Sequence, residues 1–327
     1  MTAGRRLAEI VLASGVCVLA FSSLAGATAA KRLVIKTPPY PIWAAYANGT
    51  VWVGTHHSYV IYRINPANGR IVKRVTDSKT SSTEPAIGFG SIYVGDSVDE
   101  GTSTIQISVR LNKPVRELPG TSPVVAFGSV WTLSPSGKTV LRFDPRTGVV
   151  LARIPTNLNE GVGGGMELLG TAGAGSVWLG SQTTKTVLRI SAAKNKVTAV
   201  IPLPGAATTP TPAQGYAEGG PMAFAGGKIW FGNPAGIYEV DPSTNTARRL
   251  PIKIGALDLW GDITFATGLG SVWVRTSGTR VTRINPGTGR VIGTYPAAGG
   301  GGGIAIVGHS LWVANAGKDT TWRERVP

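Results

Sequence analysis

A short stretch that recurs seven times constrains the fold of this chain more than any other feature. It reads glycine (histidine in the last copy), a small or polar residue, an aliphatic residue and an aromatic residue, usually followed by another aliphatic residue. The aromatic residues are Trp52, Tyr93, Trp131, Trp178, Trp230, Trp273 and Trp312, so that successive copies are 41, 38, 47, 52, 43 and 39 residues apart. A repeat of this length is typical of a blade built from four short antiparallel strands. The sequence therefore predicts an all-β, seven-bladed β-propeller.

A second repeated signal lies after the aromatic residue in several units. Asn or Asp is followed directly by proline and, three residues after that proline, by Gly or Asn, in the segments 63–69, 142–148, 240–245 and 283–289. The short side chain can accept a hydrogen bond from the backbone ahead, and Gly or Asn tolerates the left-handed conformation that closes such a loop. This signal predicts a hairpin between the third and fourth strands of a blade. In the first unit we expect strands near 42–46, 50–54, 59–65 and 70–76.

The last unit is short of one strand, because the chain stops soon after Trp312. The segment Arg32-Leu33-Val34-Ile35-Lys36 resembles the predicted outer strand of unit five, 248–253. Pairing of strand 32–36 with the last blade would close the ring and cover the strand edges of an open array. We predict this closure; six blades with a frayed tail is the alternative.

The first thirty residues differ from the rest. Arg5 and Arg6 precede an apolar run from Ile10 to Leu24, and small residues follow at Ala27 to Ala29, which is the pattern of a signal peptide. We therefore predict a signal peptide over 1–30, a single propeller domain over 31–327, and export to the periplasm, the cell wall or the medium. An uncleaved amino-terminal anchor is the alternative, and membrane contact is expected only in that case.

Composition narrows the expected partners. Cys17 is the only cysteine, so the domain after residue 30 can form neither a disulfide nor a thiolate metal site. The chain carries a net charge of +15, with many Lys and Arg on the predicted outer strands and turns. In an exported protein, this basic rim would meet anionic envelope polymers, and no nucleic acid partner is expected. We expect a monomer.

The Gly-Ser-Val-Trp strands and Asn/Asp-Pro-x-Thr-Gly turns resemble those of exported seven-bladed propellers related to virginiamycin B lyase and the YVTN-type repeat proteins, over essentially the whole chain after residue 30. For the lyase, the resemblance implies elimination from a cyclic depsipeptide, with Mg²⁺, histidine and glutamate on one face. Its repeats tend to read Trp-Phe-Thr-Glu. The position three residues after the aromatic here holds Thr55, Asp96, Ser134, Ser181, Asn233, Thr276 and Asn315, and none is Glu.

Candidate site residues all lie on the predicted loop face, which carries the long connections from an outer strand to the next blade. The candidates for ligand binding are His56, His57, Trp43, Tyr216 and Trp260. A solvated loop is the alternative for the two histidines. Glu167, Glu218 and Asp262 adjoin inner strands and, with Asn233 and Asn315, could supply oxygen ligands to Ca²⁺ or Mg²⁺; solvation of the loops is the alternative for the acids.

These patterns favour a binding or interaction scaffold that presents its loop face to a peptide, a glycan or a small ligand, with no covalent cofactor. The alternative is a metal-assisted carbon–oxygen lyase or hydrolase. No Ser-His-Asp set and no His-x-x-x-His spacing occurs in the sequence, so the residues do not identify a catalytic group.

Overall fold

The structure, a computed structural model, describes residues 32–56, 58, 60–76, 85–95, 103–158, 167–181, 185–205, 222–233, 235–256 and 263–327. Lys31–Pro327 forms one compact unit, which contains all 28 described strands. The only described helix is a single 3₁₀ turn, Ala316–Lys318. Among these residues there is no helix long and apolar enough to cross a membrane.

The strands form seven antiparallel sheets of four strands, and each sheet is one blade of a β-propeller. The innermost strands of blades 1 to 7 are β2 (Pro41–Ala47), β6 (Ala86–Gly88), β10 (Thr121–Ala126), β14 (Glu167–Gly173), β18 (Met222–Ala225), β22 (Phe265–Gly268) and β26 (Ile304–Val307). The second strands are β3 (Thr50–Thr55), β7 (Ser91–Gly95), β11 (Ser129–Leu133), β15 (Ser176–Ser181), β19 (Lys228–Asn233), β23 (Ser271–Ser277) and β27 (Ser310–Asn315). The third strands are β4 (Val60–Ile64), β8 (Ser103–Ser108), β12 (Thr139–Phe143), β16 (Thr186–Ser191), β20 (Gly236–Asp241), β24 (Arg280–Ile284) and β28 (Thr320–Arg325). The outer strands are β5 (Ile71–Thr76), β9 (Lys113–Pro119), β13 (Val150–Pro155), β17 (Lys196–Pro202), β21 (Thr246–Arg249), β25 (Val291–Pro296) and, in blade 7, β1 (Leu33–Lys36).

The predicted ring closure is confirmed. Strand β1 pairs antiparallel with β28, in a register that sets Val34 opposite Trp322. Just before β1, the guanidinium of Arg32 donates two hydrogen bonds to Glu324 and lies 4.2 Å from the ring centre of Trp322. The first described residues therefore supply the outer strand that the last blade lacks.

The hairpins divide the connections between two faces. The loop face carries the links from second to third strands and from each outer strand to the next blade. The opposite face, here called the turn face, carries the hairpins from first to second strands and from third to fourth strands. Since β1 runs antiparallel to β28, its first residue lies at the turn face.

The repeated aromatic residues are buried between blades, as their periodicity predicts. All seven side chains are fully buried. In five blades the indole Nε1 also donates to the backbone carbonyl five residues earlier, in the pairs Trp52–Ala47, Trp131–Ala126, Trp178–Gly173, Trp230–Ala225 and Trp273–Gly268. Each of these aromatic residues therefore contributes to the core and also fastens its own turn-face hairpin.

An arginine on the third strand, directly opposite the aromatic residue, links four blades to the next one. The guanidinium carbon lies 4.8–5.4 Å from the indole centre, and Nε donates to a hydroxyl near the start of the second strand. The sets are Arg63–Trp52–Thr50, Arg142–Trp131–Ser129, Arg189–Trp178–Ser176 and Arg283–Trp273–Ser271. Their Nη1 atoms donate across the blade boundary to Asn112, Asn195, Asn245 and the carbonyl of Pro327, respectively. These arginines stabilise the ring and are only partly exposed.

The predicted turn chemistry is also confirmed. The side-chain Oδ1 atoms of Asn65, Asp144, Asp241 and Asn285 each accept a hydrogen bond from the backbone N–H two residues ahead. Amide donors at Thr147 and Arg146 hold the pKa of Asp144 below its usual range, and an ion pair with Lys228 does the same for the pKa of Asp241. The oxygens of these two turn-face carboxylates are therefore bonded within the fold.

Candidate functional site

Half of the sequence-predicted site residues fall outside the described structure. His57, Tyr216, Trp260, Glu218 and Asp262 are not among the described residues. Glu167 begins β14, but its side chain is also outside the description. Trp43, His56, Asn233 and Asn315 are described in full, and each lies where its repeat position predicts, at the loop-face end of its strand or in the link that follows.

Trp43 packs inside the ring. Its side chain is buried in the core cluster shared by blades 1 and 2, with Trp52, Ile92 and Val94 among its members. The indole lies directly on Gly54 of β3, where an added Cβ would come within 2.0 Å of the ring. The structure therefore gives Trp43 a packing role, whereas the sequence suggested it as a candidate for ligand binding.

We expect Gly54→Ala to lower the free energy of unfolding by about 1–3 kcal/mol, because a new methyl group would overlap a buried indole that cannot easily move. Chemical denaturation measures this loss. Trp43→Phe, combined with Gly54→Ala, should cost less than the two changes added together, because the smaller ring vacates space for the methyl group. Strict additivity would contradict the proposed contact.

His56 lies in the link after the second strand of blade 1. Its backbone N–H donates to the carbonyl of Tyr40, at 2.9 Å, which ties this link to the start of β2. The imidazole is buried, which differs from the solvated position that the sequence left open. His56 therefore belongs to the inner layer of the loop face.

The amide oxygens of the two asparagines already accept hydrogen bonds from the backbone. Oδ1 of Asn233 accepts from the N–H groups of Ala235 and Gly236, and Oδ1 of Asn315 accepts from that of Ala298, at 2.8 Å. Both side chains are buried. Within the described part of the chain, no group of three or more His, Cys, Asp or Glu side chains could hold a metal ion. The two asparagines shape loop-face links in this structure.

Arg275, near the end of β23, is the loop-face residue that the sequence reasoning missed. Its side chain is fully buried (0 % exposed). Its two terminal nitrogens donate to four backbone carbonyls at 2.6–2.8 Å, those of Gly302, Ala314, Gly278 and Ala298. One guanidinium thereby joins blade 6 to the glycine-rich segment 299–303 and to the second strand of blade 7. The sequence did contain a signal for this residue. Arg275 lies two residues after the repeated aromatic residue, where the other six copies have Gly, Ala or Leu.

A groove of about 640 Å³ opens on the loop face beside this buried arginine. Its walls are the link 277–280, the end of β25 and the segment 255–256, which are held together by hydrogen bonds from Gly255 N–H to Thr276 and from Gly278 N–H to Ala256. The lining residues include Arg280, which is exposed, Ser277, Thr279 and Tyr295, whose ring centre lies 5.0 Å from that of buried Trp273. A cationic residue beside hydroxyl-bearing residues suits a polar ligand with hydrogen-bond acceptors.

Solved structures with the same architecture are similar over nearly the whole chain. Virginiamycin B lyase from Staphylococcus aureus shares 15% identity, with a TM-score of 0.68 over 91% of this chain and 99% of the lyase. A catalytically inactive form of that lyase, with quinupristin, shares 16% identity over the same fractions of the two chains, with a TM-score of 0.66. Hydrazine synthase from Kuenenia stuttgartiensis reaches 0.61, at 12% identity, over 89% of this chain and 97% of that one.

No protein-family model matches this sequence, and no curated protein sequence matches it. At identities of 12–16%, structural similarity establishes the fold alone, and folds of this kind support unrelated activities. The chain therefore has the seven-bladed β-propeller fold found in virginiamycin B lyase.

Proposed function

We propose that this protein is an exported scaffold that binds a peptide, a glycan or a small ligand on its loop face, without a covalent cofactor. The observation that carries the proposal is the groove beside Arg275. Its walls are tied to each other by backbone hydrogen bonds, and a rigid wall lowers the entropic cost of holding a ligand. Arg280 and the neighbouring hydroxyls supply donors for carbonyl or carboxylate groups.

Export is the second part of the proposal. It rests on the basic residues, the apolar run and the small residues within 1–30. In that setting the exposed cations of the rim would also meet anionic envelope polymers, and the propeller would act as a monomer.

A metal-assisted lyase or hydrolase is the second candidate, because the fold matches that of virginiamycin B lyase over 99% of the lyase chain. If the protein is such an enzyme, Glu167, Glu218 and Asp262 would supply carboxylates to Mg²⁺ or Ca²⁺. Asn233 and Asn315 would add amide oxygens only by giving up their present backbone hydrogen bonds.

Quinupristin separates the two candidates, since it is the compound in the structure of the inactive lyase. We expect the full chain, incubated with quinupristin and Mg²⁺, to leave the compound intact by mass spectrometry while binding it by calorimetry. Arg280→Ala should weaken this binding about tenfold, as expected for one lost charge-assisted hydrogen bond. Arg290→Ala, an exposed arginine on the turn face, is the matched control and should leave binding unchanged.

A ring-opened product would establish the lyase candidate and overturn the scaffold. If Arg280→Ala and the unmodified chain bind quinupristin with the same affinity, the groove is not the binding site. Failure to bind quinupristin at all would contradict a ligand of the cyclic peptide class.

A further inference from the structure

Two exposed phenylalanines stand at the tips of adjacent turn-face hairpins. Phe89 joins β6 to β7 and Phe127 joins β10 to β11, and their side chains are 51% and 41% exposed. The hairpins belong to neighbouring blades, because Gly88 lies against Val125 of the next inner strand. The two aromatic rings therefore belong to a single surface patch.

Both phenylalanines adopt a backbone conformation that disfavours bulky side chains. Their φ angles are +50° and +51°, and each is followed by a glycine that also has positive φ. Hairpins of this kind favour Asn or Gly at the first position, as in blades 1 and 5, which have Asn48 and Gly226 there. Blades 4 and 6 have Ala174 and Leu269 there, also with positive φ, but alanine is small and Leu269 packs against the core. Neither the backbone nor the core gains from an exposed phenylalanine at these tips, which points to a role outside the fold.

Exposed cations lie in the outer turn-face hairpins of the same two blades. Arg110 and Lys113 flank the exposed Leu111 in the hairpin between β8 and β9, and Arg146 lies in the corresponding hairpin of blade 3. Asp144, in the same hairpin as Arg146, is bonded to the amides of its own turn. We call Phe89, Phe127, Leu111, Arg110, Lys113 and Arg146 the turn-face patch.

The rest of the turn face carries the same sign of charge. Its other exposed cations, at or beside the described outer hairpins and the carboxyl-terminal strand, are Arg70, Lys194, Lys196, Arg290 and Arg325. The acidic residues of the described hairpins, Asp144 and Asp241, are partly buried and bonded within their turns, and Glu324 of the carboxyl-terminal strand is paired with Arg32. Apolar rings within a field of cations match the interface of an anionic bilayer, where phosphate groups overlie hydrocarbon.

The chain also enters the propeller on this face. Arg32 precedes the turn-face end of β1. The groove lies on the opposite face.

We propose that the turn-face patch docks on the surface of an anionic lipid bilayer, with or without residues 1–30, which departs from the expectation that only an uncleaved anchor would contact a membrane. Phe89 and Phe127 enter the interfacial layer, while Arg110, Lys113 and Arg146 contact lipid phosphates. The loop face with its groove then points away from the membrane. This proposal is independent of the ligand that the groove binds.

The test uses Lys31–Pro327, the compact unit that contains every described strand, so that the apolar run cannot contribute to binding. We expect it to float with phosphatidylcholine vesicles that contain about 30% phosphatidylglycerol and not with phosphatidylcholine alone, and rising salt should weaken the binding. Phe89→Asn with Phe127→Asn should reduce binding at least about tenfold, through lost apolar insertion. The same double variant should keep or raise Tm, because Asn tolerates positive φ.

Charge reversal provides the second arm. Arg110→Glu with Lys113→Glu should abolish flotation, while Lys318→Glu, an exposed cation on the loop face, should leave it unchanged. Three results would overturn the proposal. The first is flotation of the Phe→Asn variant equal to that of the unmodified unit. The second is binding to soluble polyphosphate that is tighter than binding to vesicles and does not depend on the phenylalanines, and the third is a dimer that the Phe→Asn changes dissociate. The last two would assign the patch to anionic polymers or to a second copy of this chain.

Discussion

Arg275→Ala is expected to lower the free energy of unfolding by about 3–5 kcal/mol, which is the cost typical of removing one partner from a buried charged network. The guanidinium is inaccessible to water and satisfies four carbonyls from three segments, the link at 278, the connection 298–302 and β27 at 314. Water cannot readily replace it, because the site is closed. Urea denaturation followed by tryptophan fluorescence measures the loss.

Two variants define the cause of this loss. Arg275→Lys keeps the charge but not the planar fork that reaches four acceptors, so it should recover only part of the stability. Arg280→Ala, in the same blade but exposed, should change stability by no more than about 0.5 kcal/mol. If Arg275→Ala unfolds at the same urea concentration as Arg280→Ala, the buried arginine does not hold blades 6 and 7 together.

Ile35→Asp should destabilise the ring by about 3–5 kcal/mol, because it removes a buried aliphatic group and places a carboxylate in its site. Ile35 lies on β1, is 7% exposed and packs in the cluster that joins blades 7 and 1, with Val51, Trp312 and Ala305 among its members. The change therefore acts on the strand that closes the propeller. Thermal unfolding of Lys31–Pro327 measures its effect.

Val34→Asp is the matched control, one residue away on the same strand. Val34 is 53% exposed, because successive side chains of a strand point to opposite faces. The control should stay within about 0.5 kcal/mol of the unmodified unit. Similar losses for the two variants would mean that β1 is not packed in the register that pairs Val34 with Trp322.

The architecture could be predicted because its signals are local and repeated. The spacing of Trp52, Tyr93 and their successors gave the number of blades, and the turn chemistry at Asn65 and Asp144 gave the outer hairpins. The predicted strand limits were close to the observed ones. One difference is the inner strand of blade 6, β22, which begins at Phe265 and was expected to begin near Asp262. The ring closure was predictable because 32–36 resembles another outer strand in sequence.

The candidate site was less predictable. The position of Trp43, Asn233 and Asn315 in their repeats predicted the strands on which they lie. It did not predict the groups that their side chains contact. Trp43 is buried because Gly54, eleven residues later, leaves room for its ring. The two asparagines bond to nearby backbone amides, and a sequence does not distinguish that role from a metal ligand.

The amino-acid sequence by itself determined the number of blades, their strand order, the hairpin chemistry and the closure of the ring, because each depends on residues close together in the chain or on a pattern that recurs in several blades. Tertiary structure alone decided the role of Arg275 and the groove beside it. The carbonyls that this guanidinium binds lie at positions 278, 298, 302 and 314, separated by up to 39 residues from it. Backbone carbonyls carry no residue signature, so only packing of blade 6 against blade 7 brings them to one side chain.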